Sequence, residues 1–413
     1  MRKPLRVLLP FAGADAVSHA FQDMGIDHVV AGAWEIDAGA GRFLLKNFAT
    51  RSDRININIG QSDGDMLKVK PADVPDADCL LAGPPCPPWS SSGRMRGWKD
   101  VRALPCKHLF AWLRHLCQRK HPLRFFIIEN VRGILGKNGG EYLDKLRAVL
   151  PKGWVLAALR VNSYCSAQTR PRVYLVGWKS KTPLSLAEAT RTITARLPSL
   201  PRRNLSEVLL DLPNDDPNHV LSTKQACNFR KWMRRLQPSL KDKRKKGMVA
   251  CFEADRNPCK SHATLRTDDL MMTLRASGHP IWLVSLGEGR CGPSISRLLT
   301  VEERCLLQGF RPSVIPRGTS TRLARHAMGN AMTVPVVGSV IGAILLQLQD
   351  EAEGSSGSAD SECEDSGTGE GDSSSEGNAV SDDSGAGESD SSNEGECRID
   401  DESGGDSSGS SSE

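Results

Sequence analysis

The chain has 413 residues, with 54 basic against 49 acidic side chains and a formal charge of +5. The stretch from Asp350 to Glu413 holds 21 of those acids and one basic residue, Arg398, so residues 1–349 carry 53 basic against 28 acidic groups, about +25. A body that basic suits a polyanionic partner, nucleic acid first, while the Ser, Gly, Asp and Glu of 350–413 exclude a packed core there and predict a disordered acidic tail.

Leu5 to Phe11 reads as a strand, followed by a Gly/Ala turn and a helix to about Met24. Met1 to Ala16 imitates a signal peptide only loosely, because its apolar core is short and serves better as that first strand. Val29 to Trp34 is a second strand ending in Glu35 and Asp37, with a helix to about Phe48. Ile55 to Ile59 is a third, ending near Gly64-Asp65, and Cys79 to Ala82 is a fourth. After it comes Gly83-Pro84-Pro85-Cys86-Pro87-Pro88-Trp89-Ser90. The prolines fix φ and hold this loop extended, which presents the thiol. Taken alone, the same segment also allows a buried free cysteine on a turn.

A helix around Lys107 to Cys117 leads to Phe125-Phe126-Ile127-Ile128, a buried strand ending in Glu129-Asn130. Val155 to Val161 and Arg172 to Gly177 give two more strands. Strands alternating with helices predict an α/β fold, a Rossmann-like, mainly parallel sheet with helices on both faces. Glu35, Asp37, Asp65, Cys86 and Glu129 then stand at the C-terminal ends of strands and trace one ligand-bearing edge.

From 180 to 271 the pattern breaks down. Pro, Arg and Lys dominate, with the run Lys241-Asp242-Lys243-Arg244-Lys245-Lys246. We read a small, irregular, basic domain there, with the catalytic body at 1–179 and 272–349 and the tail at 350–413. The basic run fits a phosphate contact, a nuclear-localisation patch or a solvated loop equally well. Cys251, Cys259 and His262 lack metal-ligand spacing, so no metal is expected. Twelve cysteines without a C-x-x-C pair predict reduced thiols, as in cytosol or nucleus. Regular pattern returns with Leu298 to Phe310 and Ala331 to Leu348. The second of these is uncharged and long enough to raise a membrane question, but Pro335, Gly338 and Gly342 favour a buried helix, and no membrane partner is expected.

In chain order these residues resemble the cytosine-C5 DNA methyltransferase family. Asp78, Leu80, Gly83, Pro85, Cys86, Trp89 and Ser90 fill its catalytic signature. Its Glu-Asn-Val is Glu129-Asn130-Val131, and its Q-x-R-x-R is Gln168-Thr169-Arg170-Pro171-Arg172. Its late R-x-L-T through Q-G-F runs from Arg297-Leu298-Leu299-Thr300 to Gln308-Gly309-Phe310, and its closing G-N-A-x-x-V-P-V from Gly329-Asn330-Ala331 to Val336. The resemblance covers nearly all of Leu5 to Leu348 except the small domain.

It implies the S-adenosylmethionine-dependent methyltransferase fold and transfer of a methyl group to C5 of a flipped cytosine in double-stranded DNA. Cys86 is implied as the nucleophile that adds to C6, Glu129 as the group holding N3, Arg172 as a contact to O2 and to Glu129, and Arg170 as a positioning residue. For the cofactor, S-adenosylmethionine, it implies Phe11 and Gly13 against the adenine side, Glu35 on the ribose hydroxyls, Asp65 on the adenine amino group, and Pro85 and Asn330 as walls. Two positions depart from the pattern. Asp15 replaces the second Gly of F-x-G-x-G, and Leu9-Pro10 replaces the usual Asp before the aromatic. A carboxylate at 15 would meet either the methionine carboxylate or the amino group of the cofactor.

The small domain is expected to recognise the target sequence, and the acidic tail to contact chromatin or another basic protein in a nuclear setting. Two alternatives are the same chemistry on tRNA and a DNA-binding relative without activity. Pro87-Pro88-Trp89-Ser90 speaks against the first, and the intact Cys86, Glu129 and Arg172 against the second. A zinc deaminase is excluded, because there is no H-x-E with P-C-x-x-C.

Overall fold

Four apolar strands, each followed by a helical segment, begin the fold in the computed structural model, which describes residues 3–48, 57–90, 93–136, 140–213, 221–260, 263–287 and 294–353. They are β1 (Leu5–Pro10), α1 (Ala16–Asp23), β2 (His28–Glu35), α2 (Ala38–Phe48), β3 (Ile57–Ile59), α3 (Gly60–Asp63), β4 (Cys79–Ala82) and α4 (Leu104–Gln118). β5 (Phe125–Asn130), α5 (Gly140–Val149), β6 (Trp154–Val161) and β7 (Arg172–Lys179) complete a seven-stranded sheet of order β3-β2-β1-β4-β5-β7-β6. β1 to β5 pair in parallel, and β7 runs antiparallel to both β5 and β6. The expected α/β, mainly parallel sheet is therefore present. The chain winds outward to β3, then returns to place β4 beside β1, and that reversal opens a crevice at the strands' C-terminal ends.

β4 and β5 are buried along their whole length. One core cluster packs α1 and the later helix α10 (Val334–Glu353) on one face of the sheet, through Val17, Phe21, Val337 and Ile341. The other face packs on α4 and α5 through Trp112, Leu113, Tyr142 and Leu146. Ala331 to Leu348 thus forms most of a helix whose apolar side lies in the core, although by length and composition it would also span a membrane.

The stretch 180–271 holds more regular structure than its composition suggests. α6 (Leu186–Ala195), with a Ser185/Glu188 capping box, buries Ala189 and Ile193 with the main sheet. α7 (Thr223–Lys241) covers a second sheet of β8 (Val249–Glu253), β9 (Leu265–Arg266), β10 (Ile281–Ser285) and β11 (Ser296–Leu298), in the order β11-β10-β8-β9. This antiparallel sheet runs past residue 271 to Leu298. α8 (Val301–Leu307) and α9 (Thr321–Asn330) then lead into α10.

The boundary expected at 350 is corrected: α10 continues to Glu353, because its last turn is anchored. Trp178 Nε1 and Ser180 Oγ donate to Glu351 at 3.0 and 3.1 Å, and Arg196 pairs with Asp350 at 2.6 Å. The rest of the tail, like Ile55 and His262, lies outside the described residues. Met1–Asp360 forms one compact unit.

Candidate active site

The antiparallel insertion of β7 explains how the Glu-Asn-Val and Q-x-R-x-R segments meet. Glu129 lies opposite Tyr174 and Asn130 opposite Val173, so the start of β7 reaches the edge where β5 ends. Arg172 is two residues from Tyr174 and thus a diagonal neighbour of Glu129 on one sheet face. Its Nε meets Glu129 Oε1 at 2.9 Å, with both side chains largely buried, 14 % and 11 % exposed. A charge pair this sheltered is strongly oriented, because little water competes for it.

Cys86 follows β4, the strand next to β5. Its carbonyl accepts from Trp89 N at 3.0 Å, which closes a turn around Pro87-Pro88. Trp89 anchors that turn in an aromatic group with Trp98 and Tyr142, at centroid distances of 5.4 and 5.1 Å. Asn130 Nδ2 donates to the Pro84 carbonyl at 3.3 Å, so the Glu129-Asn130 strand end also holds the proline loop.

Cys86 is half-buried. Burial pushes its thiol up, Arg172 and Arg170 pull it back, and Glu129 adds to the rise. The carboxylate and the guanidinium of the ion pair thus both act on the thiol, in opposite directions. The thiol is partly open rather than fully buried, and it stands at the strand edge where Glu129 and Arg172 meet.

Arg170 takes a different place. It is 2 % exposed and points at main chain. Its Nη1 donates to the Leu274 carbonyl at 2.7 Å, and its Nη2 to the carbonyls of Gly329 and Ala331 at 3.2 and 2.9 Å. Burial, then the neighbouring Arg172, push it down to about 9. It fastens the loop before Arg172 to the segment that carries Asn330.

Two glutamines that the motifs contain, but whose role the sequence does not reveal, complete that fastening. Gln168 donates to the Leu307 carbonyl at 3.1 Å and accepts from Leu274 N at 3.0 Å. Gln308 donates to the Met328 carbonyl at 2.6 Å and accepts from Thr333 Oγ1 at 3.1 Å. Buried amides of this kind are the signal to look for, since each must find several partners.

On the other side of the crevice, the turn after β1 is unusually wound. Phe11, Gly13 and Asp15 all have positive φ, at 61°, 55° and 62°. Glu35 ties that turn to β2: Oε2 accepts from Gly13 N at 2.7 Å and Oε1 from Asp37 N at 2.8 Å. Burial pushes the Glu35 carboxyl up, and these backbone donors oppose the rise. A Cβ built on Gly13 meets nothing within 4 Å, so the turn is open on that side. Asp65 lies six residues beyond β3 and accepts from Leu67 N at 3.0 Å. Gly64, just before it, lies against the end of β2, because a Cβ there would sit 2.1 Å from the Glu35 carbonyl oxygen. Only glycine allows that approach.

Asp15 ends this turn at the start of α1. The carboxylate is 1 % exposed and caps α1, accepting from Ser18 N at 3.0 Å. Asp is among the few residues that tolerate the left-handed backbone which Gly would otherwise supply.

Asn330, at the end of α9, is exposed, and its Nδ2 lies 3.1 Å from His326 Nε2. His326 Nε2 is 3.8 Å from Asp37 Oδ2, so α9 is linked to the end of β2. His326 escaped the sequence reading, although its spacing of four from Asn330 on a helix was the available signal. A cleft of about 730 Å³, lined by Asp37, Ser277, Arg325 and His326, opens at this point. An apolar cavity of about 280 Å³ between α1 and α10 is lined by none of the candidate site residues. Pro85 is half-buried in the loop before Cys86. Among the described residues no three His, Cys, Asp or Glu side chains converge as a metal site.

Comparison with known proteins agrees with this architecture. The chain is 26 % identical over 334 residues to the type II methyltransferase M.NgoBI of Neisseria gonorrhoeae, covering 79 % of this chain and 89 % of that protein. It is 28 % identical over 176 residues to the orphan methyltransferase M.SPRI of Bacillus phage SPR, covering 42 % and 37 %. The S. pombe Dnmt2 methyltransferase structure superposes with a TM-score of 0.56 at 16 % identity, covering 84 % of this chain and 99 % of that one. The Entamoeba histolytica methyltransferase EhMeth does so with a TM-score of 0.56 at 14 % identity and the same coverage. At such identities the two structures share a fold with this chain and support nothing finer. The profile of the C-5 cytosine-specific DNA methylases matches residues 6–346, and the chain belongs to that family.

Proposed function

We propose that the protein transfers a methyl group from S-adenosylmethionine to C5 of a cytosine flipped out of duplex DNA, through a covalent adduct at Cys86. The observation that carries this reading is the Glu129–Arg172 pair, at 2.9 Å, acting on the Cys86 thiol at the crevice edge.

The turn after β1 fits S-adenosylmethionine. Gly13, bonded to Glu35 and with open space where a Cβ would stand, the Phe11 ring, the Glu35 carboxylate suited to vicinal hydroxyls, and Asp65 would hold it, with Pro85 and Asn330 as walls. When bound, the cofactor supplies a methyl group on a positive sulfur, open to attack by carbon.

This chain's residues make that carbon. Cys86 Sγ, as thiolate, bonds to C6 of cytosine, and the ring electrons move toward C5. Glu129 faces N3 and supplies a proton or hydrogen bond as charge develops there. Arg172 keeps Glu129 oriented and donates to O2. Arg170 keeps Arg172 in register with the Asn330 segment. Once C5 has gained its methyl group, the C5 hydrogen leaves as a proton to water and the C6–Sγ bond breaks, which returns the Cys86 thiolate.

A duplex carrying 5-fluorocytosine at the target tests the adduct, because fluorine cannot leave C5 as a proton would. A denaturation-resistant complex through the Cys86 peptide is expected. Methylation of ordinary DNA without any such complex would overturn the covalent step.

Target recognition by the basic stretch at 180–271, and contact of the acidic tail with a basic protein, belong to this proposal. The two curated relatives named above come from a bacterium and a phage, so the nuclear setting is proposed on charge pattern alone.

A further inference from the structure

The exposed side of α7 carries Lys224, Arg230, Lys231, Arg234, Arg235 and Lys241, and the helix contains no acid. At 3.6 residues per turn these six fall in one arc of about 140°, which does not overlap the arc of the buried Asn228, Trp232 and Leu236. The buried side packs on Ala250, Phe252, Trp282 and Val284 of the second sheet. The other face of that sheet meets Leu205, Leu274 and Leu307. The basic arc is therefore on the sheet's outer side, apart from Cys86 and its partners. Exposed Lys243 and Lys246 extend it.

Arg235 donates to the Pro258 carbonyl at 3.1 Å, and Arg244 pairs with Asp242 at 3.0 Å. The other seven cations named here make no ion pair among the described residues. Arg230 with Arg234, and Lys231 with Arg235, are like charges at i,i+4 spacing, an arrangement that opposes the helix. A row of phosphates would relieve that repulsion. The arc has no large apolar residue at its centre, unlike a protein-binding surface, and its length, about 28 Å for 19 residues, suits a rod of regularly spaced charge.

We propose that α7, with Lys243 and Lys246, is a second, sequence-independent surface for the phosphate backbone of duplex DNA outside the catalytic crevice, holding the protein on long DNA. This rests on the DNA reading above.

The test compares the full chain with the triple variant Arg230→Glu, Lys231→Glu, Arg234→Glu, and with the corresponding Gln variant, after circular dichroism shows that both fold. Binding to a long duplex is measured against salt, and methylation on a short duplex spanning one target. For the Glu variant we expect at least about tenfold weaker long-duplex binding at low salt and a log–log salt slope shallower by about 2 to 3. The Gln variant should shift the same way by less, and a loss of short-duplex methylation as large as the loss of long-duplex binding would overturn the proposal by merging this surface with the target-recognition stretch. Unchanged affinity and slope in folded variants would overturn the proposal. So would loss of binding to poly-glutamate with DNA binding intact, which would assign the surface to an acidic protein. The slope is read without turnover, so a wild-type chain that methylates no DNA would sink the catalytic reading while leaving this one to be decided by binding.

Discussion

At the scale of single residues, the proposed reaction rests on Cys86, Glu129 and Arg172, and the effect of the two charged groups on the thiol can be checked directly. In the substrate-free site, burial holds the Cys86 thiol above its ordinary value, Glu129 raises it further and Arg172 lowers it. A raised thiol pKa means less thiolate at neutral pH and alkylation that accelerates as pH climbs. Glu129→Gln removes a raising influence, so peptide-resolved iodoacetamide labelling of Cys86 should begin at lower pH. Methyl transfer in the same variant should fall by about 10²-fold or more. Labelling no faster than wild type would contradict this effect of Glu129. Asp15 offers a second check. Asp15→Gly keeps the left-handed turn and should cost only a few tenths of a kcal/mol, whereas Asp15→Ala loses both the cap and the tolerated backbone and should cost about 2 kcal/mol in denaturant unfolding. Equal losses would mean that the turn, as described, does not constrain this position.

At the scale of elements, strand identities and their chemistry-bearing ends were legible because apolar runs and their polar termini are local properties. The hand of β7 was not, since nothing in an apolar strand records its direction, yet that direction is what sets Arg172 beside Glu129. The partners of Arg170 were equally hidden, because Leu274, Gly329 and Ala331 lie over a hundred residues away in sequence. α7 was missed inside a stretch read as irregular, because its buried side is narrow and its basic exposed side dominates composition. The Thr300–Glu303 segment was read as a motif without its structural meaning. Arg297 meets Glu303 at 2.7 and 2.9 Å in full burial, and Glu303 also accepts from Thr300 N and Leu210 N. Arg297→Met would strand a buried carboxylate and should lower stability by about 3–5 kcal/mol in urea titration. A loss below 1 kcal/mol would show that Glu303 is solvated or protonated there.

At the scale of the whole molecule, the opposite charges of the two parts of the chain were legible from composition, and so was the ligand-bearing edge from the residues at the strands' C-terminal ends. Met1–Asp360 is compact and carries its own cores. Deleting 361–413 should therefore leave the unfolding midpoint and short-duplex methylation unchanged, and a lowered midpoint would show that the deleted segment supports the fold. The measurement that bears most directly on the central claim is transfer of a labelled methyl group from S-adenosylmethionine to duplex DNA and to tRNA, with Cys86→Ala assayed alongside for transfer and cofactor binding. We expect label on DNA cytosine, none from Cys86→Ala, and cofactor binding retained in that variant. Label confined to tRNA, or label on DNA that survives Cys86→Ala, would contradict it.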